Sequence, residues 1–480
     1  MLFRFQKKSI VRRMNSPNDP DKRLPCSFSP TSLVAQLKEK LMPKSSIELT
    51  RRKFISTSAA VAAAPSIFTS TAKAAPSERI TVGVIGLGSR GFNLLDDLLT
   101  SPDAQIVAVC DVDTLHYRDQ EWGKGRRFGL QAGQEYIDQK SGSKPGVSTT
   151  RDFHDICTRD DIDAVVVATP DHWHALCTLE ALRSGKDVYC EKPITHTFRE
   201  GQTVYREVAK QNAIFQTGSQ QRSDWQFRRA VELVRNGHLG KIHTIEVGLP
   251  PGYDKPQGDP TVTMPPEHVD YDFWCGPAPM LPYMRARHHR WWRGHRAYGG
   301  GVLMDWIGHH NDIAHWALDL DRSGPVKVEA VGWTFPETNI YNTPYHYEIQ
   351  CEYEGGTKSS ISSRNKLGAR LVGDSGWVFV TRGSIVASQP AWTDAKFNPG
   401  HEKVYASDNH MQNFLNGVRS RRPCICPAET GHRSITPGHL AYVSQSLGRA
   451  LRWDPKTETV VGDQSANDLL QRQHYRQPWG

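Results

Sequence analysis

Residues 79–91 read Arg79-Ile80-Thr81-Val82-Gly83-Val84-Ile85-Gly86-Leu87-Gly88-Ser89-Arg90-Gly91. Ile80, Val82, Val84 and Ile85 spell a short β-branched strand, and Phe92, Leu94, Leu95, Leu98 and Leu99 continue beyond the glycines at helical spacing. Between strand and helix the glycines stand as Gly86-x-Gly88-x-x-Gly91, and each has a mechanical task there. Gly86 allows a tight turn, Gly88 lets the backbone approach a pyrophosphate, and Gly91 lets the helix pack on the strand. The helix N-terminus then faces the anion with its free N–H groups. The motif alone is weak, and the strand before it and the helix after it give it weight.

The pattern repeats outward from this turn. A second strand, 105–110, ends at Asp111, roughly 20 to 25 residues past the glycines, where an acid is expected to bind the adenine-side ribose hydroxyls. A carboxylate there repels a 2′-phosphate, so NAD(H) is favoured over NADP(H). Arg90, in the glycine loop, is a cation within reach of a phosphate. A buried strand at 162–168 leads into Thr169-Pro170-Asp171-His172-Trp173-His174 and a helix over 175–184, and residues 187–190 form another strand ending at Glu191-Lys192-Pro193. Strand, helix and strand in alternation predict a doubly wound parallel sheet. Ligands of such sheets sit at the carboxyl ends of the strands, which nominates Gly86, Gly88, Arg90, Gly91, Asp111, Thr169, Pro170, His174, Glu191 and Lys192 as cofactor residues.

Gly-x-Gly-x-x-Gly, then Thr-Pro-Asp-x-x-His, then Gly185-Lys-Asp-Val-x-x-Glu191-Lys192-Pro193, in this order and spacing, resemble the glucose–fructose oxidoreductase, inositol dehydrogenase and rhizopine-catabolism (Gfo/Idh/MocA) family. The resemblance runs from about Glu78 to the C-terminus. It implies an NAD-binding Rossmann domain over 76–215 and an α+β domain over 216–480 with an open, mainly antiparallel sheet, whose outer face builds homo-oligomers. The residues support the second domain independently: strand-like runs at 243–248, 327–333, 347–353, 357–363 and 377–381 interleave with loops rich in Pro, Gly and Trp.

Within that domain, Asp305 and His309 are four apart, so on a helix they share one face, and Asp312 stands three residues later. Hydride transfer from a carbinol needs a base near the hydroxyl proton, commonly with an orienting partner. The family resemblance implies that Lys192, Asp305 and His309 do this work, with Lys192 holding the substrate hydroxyl and His309 taking its proton. Relatives usually carry Asp-x-Gly-x-His, whereas here Ile307 occupies the middle position and the glycine is Gly308. If substrate needs close backbone approach at that point, the pocket is narrower or rotated. His288-His289-Arg290-Trp291-Trp292-Arg293 concentrates rings that stack on sugar faces and guanidinium groups that bind hydroxyls. Arg290, Trp291, Tyr298 and Asp312 are the candidate substrate contacts. His310 reads as a hydrogen-bonded core histidine. No metal is expected: His309, His310 and Asp312 lack a separate fourth ligand, and Cys424-Ile425-Cys426 lacks a second pair.

The remaining features bound the setting. The formal charge of +8 belongs to the first 53 residues, where 13 Lys/Arg meet 4 Asp/Glu; the other 427 carry 46 against 47. A body without surplus cations offers no phosphate-binding face for nucleic acid. Thr50-Arg51-Arg52-Lys53-Phe54-Ile55, an Ala-rich run over 56–68 and Ala72-Lys73-Ala74 have the parts of a secretory signal, and the paired arginines resemble the twin-arginine type. Residues 1–75 are therefore read as a leader for the twin-arginine translocation machinery, cleaved near Ala74, and the product as periplasmic or otherwise exported. No run approaches the roughly 20 apolar residues of a membrane-spanning helix. The nine cysteines are scattered and read as small buried residues. Together these predict an NAD(P)-dependent oxidoreductase acting on a sugar or polyol. The alternative is a glycoside hydrolase that keeps NAD and uses it for transient oxidation and elimination.

Overall fold

The computed structural model describes residues 78–119, 124–141, 146–394, 396–471 and 475–479. The leader, its paired arginines and Ala74 lie outside them. The chain enters on β1 (Ile80–Ile85), every residue of which is buried, as its continuous apolar run requires of a central strand covered on both faces. After α1 (Ser89–Thr100) comes β2 (Ala104–Cys110), parallel to β1 with Val84 opposite Val109. A two-stranded ribbon, β3 (His116–Tyr117) and β4 (Arg127–Phe128), precedes α2 (Leu130–Ser141), β5 (Ser148–Thr150) and α3 (Phe153–Cys157). The second half repeats the alternation through β6 (Ala164–Val167), α4 (Asp171–Arg183), β7 (Asp187–Cys190), α5 (Phe198–Gln211) and β8 (Phe215–Thr217).

These six strands pair in the order β5-β2-β1-β6-β7-β8, all parallel. This is the doubly wound order 3-2-1-4-5-6, whose direction reverses between β1 and β6. Leu94, Leu95 and Leu98 of α1 are at most 1% exposed on the sheet, and each buried leucine contributes about 1.5–3 kcal/mol of transfer energy. The helix expected over 175–184 begins earlier, at Asp171, because Pro170 at the N-cap has a φ already suited to helix entry.

The rest of the chain builds a second sheet. It contributes α6 (Trp225–Arg235), β9 (Ile242–Gly248), α7 (Tyr271–Cys275), α8 (Gly301–Ala317), β10 (Lys327–Thr334), β11 (His346–Glu352), β12 (Lys358–Ser362), β13 (Gly368–Gly373), β14 (Gly376–Thr381) and β15 (Ser384–Ala387). Beyond these lie α9 (His410–Ser420), α10 (Ala428–Leu447), β16 (Leu451–Asp454), β17 (Thr459–Val460) and α11 (Gln464–Gln471). The nine strands run β15-β14-β13-β9-β12-β11-β10-β16-β17. All five expected strands are present, but β9 and β12 pair in parallel, so the sheet is mixed. On β11, Tyr347, Ile349 and Cys351 face inward while Glu348, Gln350 and Glu352 alternate outward. The buried face shares one core with α8 and α10. Met411, Phe414 and Leu415 of α9 return to pack with Val84, Tyr189 and Ile214 of the first sheet. Among the described residues no helix is long and apolar enough to cross a membrane.

Candidate active site

A cavity of about 680 Å³ opens along the carboxyl ends of β2, β1, β6 and β7 and is closed by the turn and helix that carry Arg293 and His309. That volume is in the range of small-molecule and cofactor sites. Its floor is the glycine turn. Gly86 adopts φ +95°, and a Cβ there would lie 2.7 Å from the Ala168 carbonyl; a Cβ on Gly91 would collide with the Gly86 carbonyl oxygen. Gly88 differs, since a Cβ there would meet nothing within 4 Å. Protein packing explains two of the glycines, and the third leaves its backbone open to the cavity. Gly88 is also the N-cap of α1, with no side-chain cap and no acid in the first turn, so the helix presents its positive end to the cavity. The residues present therefore fit a dinucleotide pyrophosphate.

On the β2 side, Asp111 accepts from the backbone N–H of Leu87 at 2.6 Å and of Asp113 at 2.9 Å. Burial pushes its carboxyl up to about 6, against those hydrogen bonds. On the other side, His174 places Nδ1 2.7 Å from the Pro193 carbonyl and Nε2 2.9 Å from that of Thr169, tying the loops after β6 and β7 together. Thr169, Pro170 and His174 all line the cavity, and Thr169 Oγ1 is buried without a partner among the described residues. Arg90 turns its Nε to Glu191 Oε1 at 2.8 Å, leaving Nη2 buried and unpartnered among the described residues. Burial works against the Glu191 charge, but Arg90 and Lys192 hold its carboxyl below the usual carboxylate range.

Lys192, next after Glu191 at the end of β7, donates from Nζ to the Asp305 carbonyl at 2.9 Å and to its Oδ1 at 2.7 Å. Arg293 Nε lies 3.1 Å from the same Oδ1. Burial alone would raise the Asp305 carboxyl, yet Arg293 and Lys192 overcome it and keep it ionised. One helical turn on, His309 lines the cavity, 6% exposed, with Nδ1 lacking a partner among the described residues. Burial, then the Lys192 and Arg382 charges, drives its pKa well below the ordinary imidazole value. The site thus joins a held ammonium, a fixed carboxylate and a neutral imidazole.

Of the four candidate substrate contacts only Arg290 reaches the cavity. Trp291 turns away, donating from Nε1 to Asp119 at 3.2 Å and packing edge-on against Tyr253; its neighbour Trp292 lines the cavity, with the Arg293 guanidinium 4.2 Å over its ring. Tyr298 is fully buried and donates to the Pro279 carbonyl. Asp312, 1% exposed, makes a bidentate pair with Arg222 at 2.7 and 2.8 Å. Neither Tyr298 nor Asp312 is a substrate contact, because both are consumed by the core. His310 is a core histidine, with Nδ1 2.7 Å from the Gly248 carbonyl, and Cys424 and Cys426 are buried free thiols.

Sequence reasoning misses Asp171. It is 3% exposed, lines the cavity and carries an Oδ2 with no hydrogen-bond partner among the described residues. Burial pushes its carboxyl up to about 7, against the Arg293 charge. Its place inside Thr-Pro-Asp is the available signal. Trp292, Arg293, Gln220 and Arg382 also line the cavity.

Comparison with known proteins places the chain in a family. A family model described as "Oxidoreductase family, NAD-binding Rossmann fold" matches residues 80–219, and its companion, "Oxidoreductase family, C-terminal alpha/beta domain", matches 226–480. The chain is 26% identical to the myo-inositol 2-dehydrogenase of Thermotoga maritima over 403 residues, 79% of this chain and 99% of that one. It is 32% identical to a glycosyl hydrolase family 109 protein of Shewanella sp. strain ANA-3 over 125 residues, 26% of this chain and 25% of that one. Some matches are partial: with two other relatives the chain spans 42–44% of their length. The fold superposes on the WlbA dehydrogenase of Bordetella pertussis, solved with NADH and UDP-GlcNAcA, with a TM-score of 0.56 at 17% identity, covering 78% of this chain and 99% of that one.

Proposed function

Because the chain belongs to the Gfo/Idh/MocA oxidoreductase family, we propose that it transfers hydride between NAD and a hydroxyl or carbonyl carbon of a sugar or polyol, with Lys192 and His309 as its acid–base groups. Residues 76–215 form the cofactor half in this reading, and 216–480 the substrate half. The observation that carries it is the convergence of Lys192, Asp305 and His309 on one cavity wall. When bound, the nicotinamide accepts or returns the hydride. Lys192 has three N–H donors and spends two on Asp305, so the third is free to hold the substrate oxygen and favour its alkoxide character. His309, kept neutral by burial, accepts the hydroxyl proton. Asp305, ionised between two cations, positions Lys192 and does not itself move a proton.

The leader adds a second element: export in a folded state, with NAD loaded beforehand and recycled on the enzyme. Retention outside the cell needs a Kd of order nanomolar, about −12 kcal/mol. Mass spectrometry of natively purified, then denatured, protein is expected to yield NAD, and Asp111→Ala protein is expected to emerge largely empty. Wild-type protein free of nucleotide and needing millimolar NAD would refute retention. The same reading includes a homo-oligomer built on the open face of the nine-stranded sheet, which light scattering checks.

Two observations favour a second reading, an NAD-retaining glycoside hydrolase. One is the match to glycosyl hydrolase family 109 proteins. The other is Asp171, a carboxyl in the cavity that burial pushes up to about 7, so that a substantial share is protonated near neutrality, and cleavage of a glycosidic bond uses such an acid at the leaving oxygen. Release of 4-nitrophenol from aryl glycosides without added NAD selects this reading; net NADH formation from free sugars selects the first.

A further inference from the structure

One buried carboxylate oxygen, Asp113 Oδ2, is shared by two imidazoles in the knot between the loop after β2 and the turn at 288–289, and both ring nitrogens of the adjacent His288 have no hydrogen-bond partner among the described residues. Asp113 is 1% exposed. Its Oδ1 is satisfied, accepting from the Leu115 N–H at 3.1 Å and facing His268 Nδ1 at 2.8 Å. Its Oδ2 faces His116 Nδ1 at 3.1 Å and His289 Nε2 at 3.0 Å. Buried polar atoms left unpaired in a native fold call for a bridging water or ion.

We infer that Asp113, His116 and His289 bind one divalent cation of the zinc class, with His268 bracing the carboxylate from behind. The donor set is chemically right: one carboxylate oxygen and two imidazole nitrogens are the ligands of borderline divalent ions. The donor atoms are close enough to share one ion after a small outward adjustment. Ligands at about 2.0–2.2 Å from a tetrahedral centre are about 3.3–3.5 Å apart, and the observed edges at Oδ2 are 3.0 and 3.1 Å, with all three donor atoms within 4.8 Å of one another. The rings of His116 and His289 stack at 3.6 Å, so each must turn about Cβ–Cγ to aim its lone pair at a shared ion, and that torsion is soft. His268 on the second carboxylate oxygen is the outer-shell partner that metal-binding carboxylates commonly have.

The cation would clasp two parts of the cavity wall. Asp113 and His116 come just after Asp111, while His289 opens the turn that carries Trp292 and Arg293. It would fix that turn, and with it the Arg293–Asp305 contact, to the cofactor half. The inference does not depend on the proposed reaction. Full-length protein is stripped with a chelator, dialysed against Zn²⁺, and its metal content read by mass spectrometry with and without NAD. One zinc per chain with a Kd below micromolar is expected. His289→Ala and His116→Ala should each abolish it, and His268→Ala should weaken it about 10- to 100-fold without changing the stoichiometry. Cobalt substitution, read by visible absorption, reports N/O ligation in the wild type whatever the folding of the variants. Wild-type protein that takes up no zinc at micromolar free Zn²⁺, or folded His289→Ala protein that retains it, overturns the inference.

Discussion

Replacing Lys192 by methionine removes the ammonium while keeping most of the side-chain volume, and the geometry around Asp305 sets the size of the loss. At 2.7 Å from Asp305 Oδ1, the charge pair has a gross attraction of roughly 6 kcal/mol at an effective dielectric of about 20. Asp305 is not orphaned, because Arg293 Nε stays 3.1 Å away. The stability loss therefore falls below the roughly 3–5 kcal/mol of a broken buried pair. Turnover loses the group that holds the substrate oxygen, which costs about 10² to 10⁴-fold. Cofactor retention changes little, since Gly88, Thr169 and Asp111 are untouched. The pH profile supplies an independent sign. After burial, the Lys192 charge is the next cause of the low His309 pKa, so its removal raises that pKa and moves the acidic limb of kcat/KM to higher pH. Lys192→Arg keeps the charge and should leave the limb closer to wild type. Single-turnover nicotinamide absorbance on protein with retained NAD gives the rate, and a pH series gives the limb. Unchanged turnover, or a limb displaced to lower pH, would refute the assigned roles.

Gly88→Ala should cost less than about 1 kcal/mol of stability yet weaken NAD at least about tenfold by filling the space that the pyrophosphate needs. Gly91→Ala, whose Cβ would collide with the Gly86 carbonyl oxygen, should destabilise by about 1–3 kcal/mol or more; denaturation midpoints and nucleotide content separate the two. Asp312→Ala leaves Arg222 with Asp321 alone at a fully buried site and should cost about 3–5 kcal/mol while the remaining folded protein keeps its NAD. Stability should fall as pH drops from about 6.5 to about 4. Burial lowers His172, His310, His315 and His410 to about 4 and His196 to about 3, so the unfolded chain takes up protons that the fold refuses. Asp171 at about 7 and Asp111 at about 6 act in the opposite sense, as do the raised carboxyls of Asp97, Glu200, Asp224 and Asp312, but burial lowers His174, His288, His289, His295, His309, His432 and His439 as well, so the histidines outnumber those carboxyls twelve to six, and urea midpoints across that window read the net sign.

The cofactor half is legible in the sequence because its signals are local. A strand, three spaced glycines and a helix within twenty residues constrain one another, and the strand-end positions of Asp111, Thr169 and Lys192 result from the parallel alternation. What sequence does not show depends on partners far along the chain. Asp312 is within reach of His309 on its helix, but Arg222, ninety residues earlier, takes both its oxygens. The Asp113 cluster draws His289 from more than 170 residues away. Trp291 and Trp292 are adjacent, and only the 3-10 turn they occupy decides which one faces the cavity.

The hardest element to read is the one that carries the chemistry. A helix with one wet face shows a period in its apolar residues, but α8 is buried almost all round, and only Asp305 and Trp306 within it are partly exposed. Its sequence therefore holds no hydrophobic stripe to tell cavity-facing polar groups from core ones, and Asp312, within reach of His309, reads as a substrate contact. The displaced glycine is explained by the same packing. Ile307 is fully buried in the core, while a Cβ on Gly308 would come to 3.3 Å from Ile435 and 3.7 Å from Lys192 Cβ. The glycine lets the helix backbone pack closely on Ile435 of α10, with Lys192 Cβ at ordinary contact distance. The shift from Asp-x-Gly-x-His therefore does not narrow the substrate space at Ile307. It sets how closely α8 lies against Ile435 of α10.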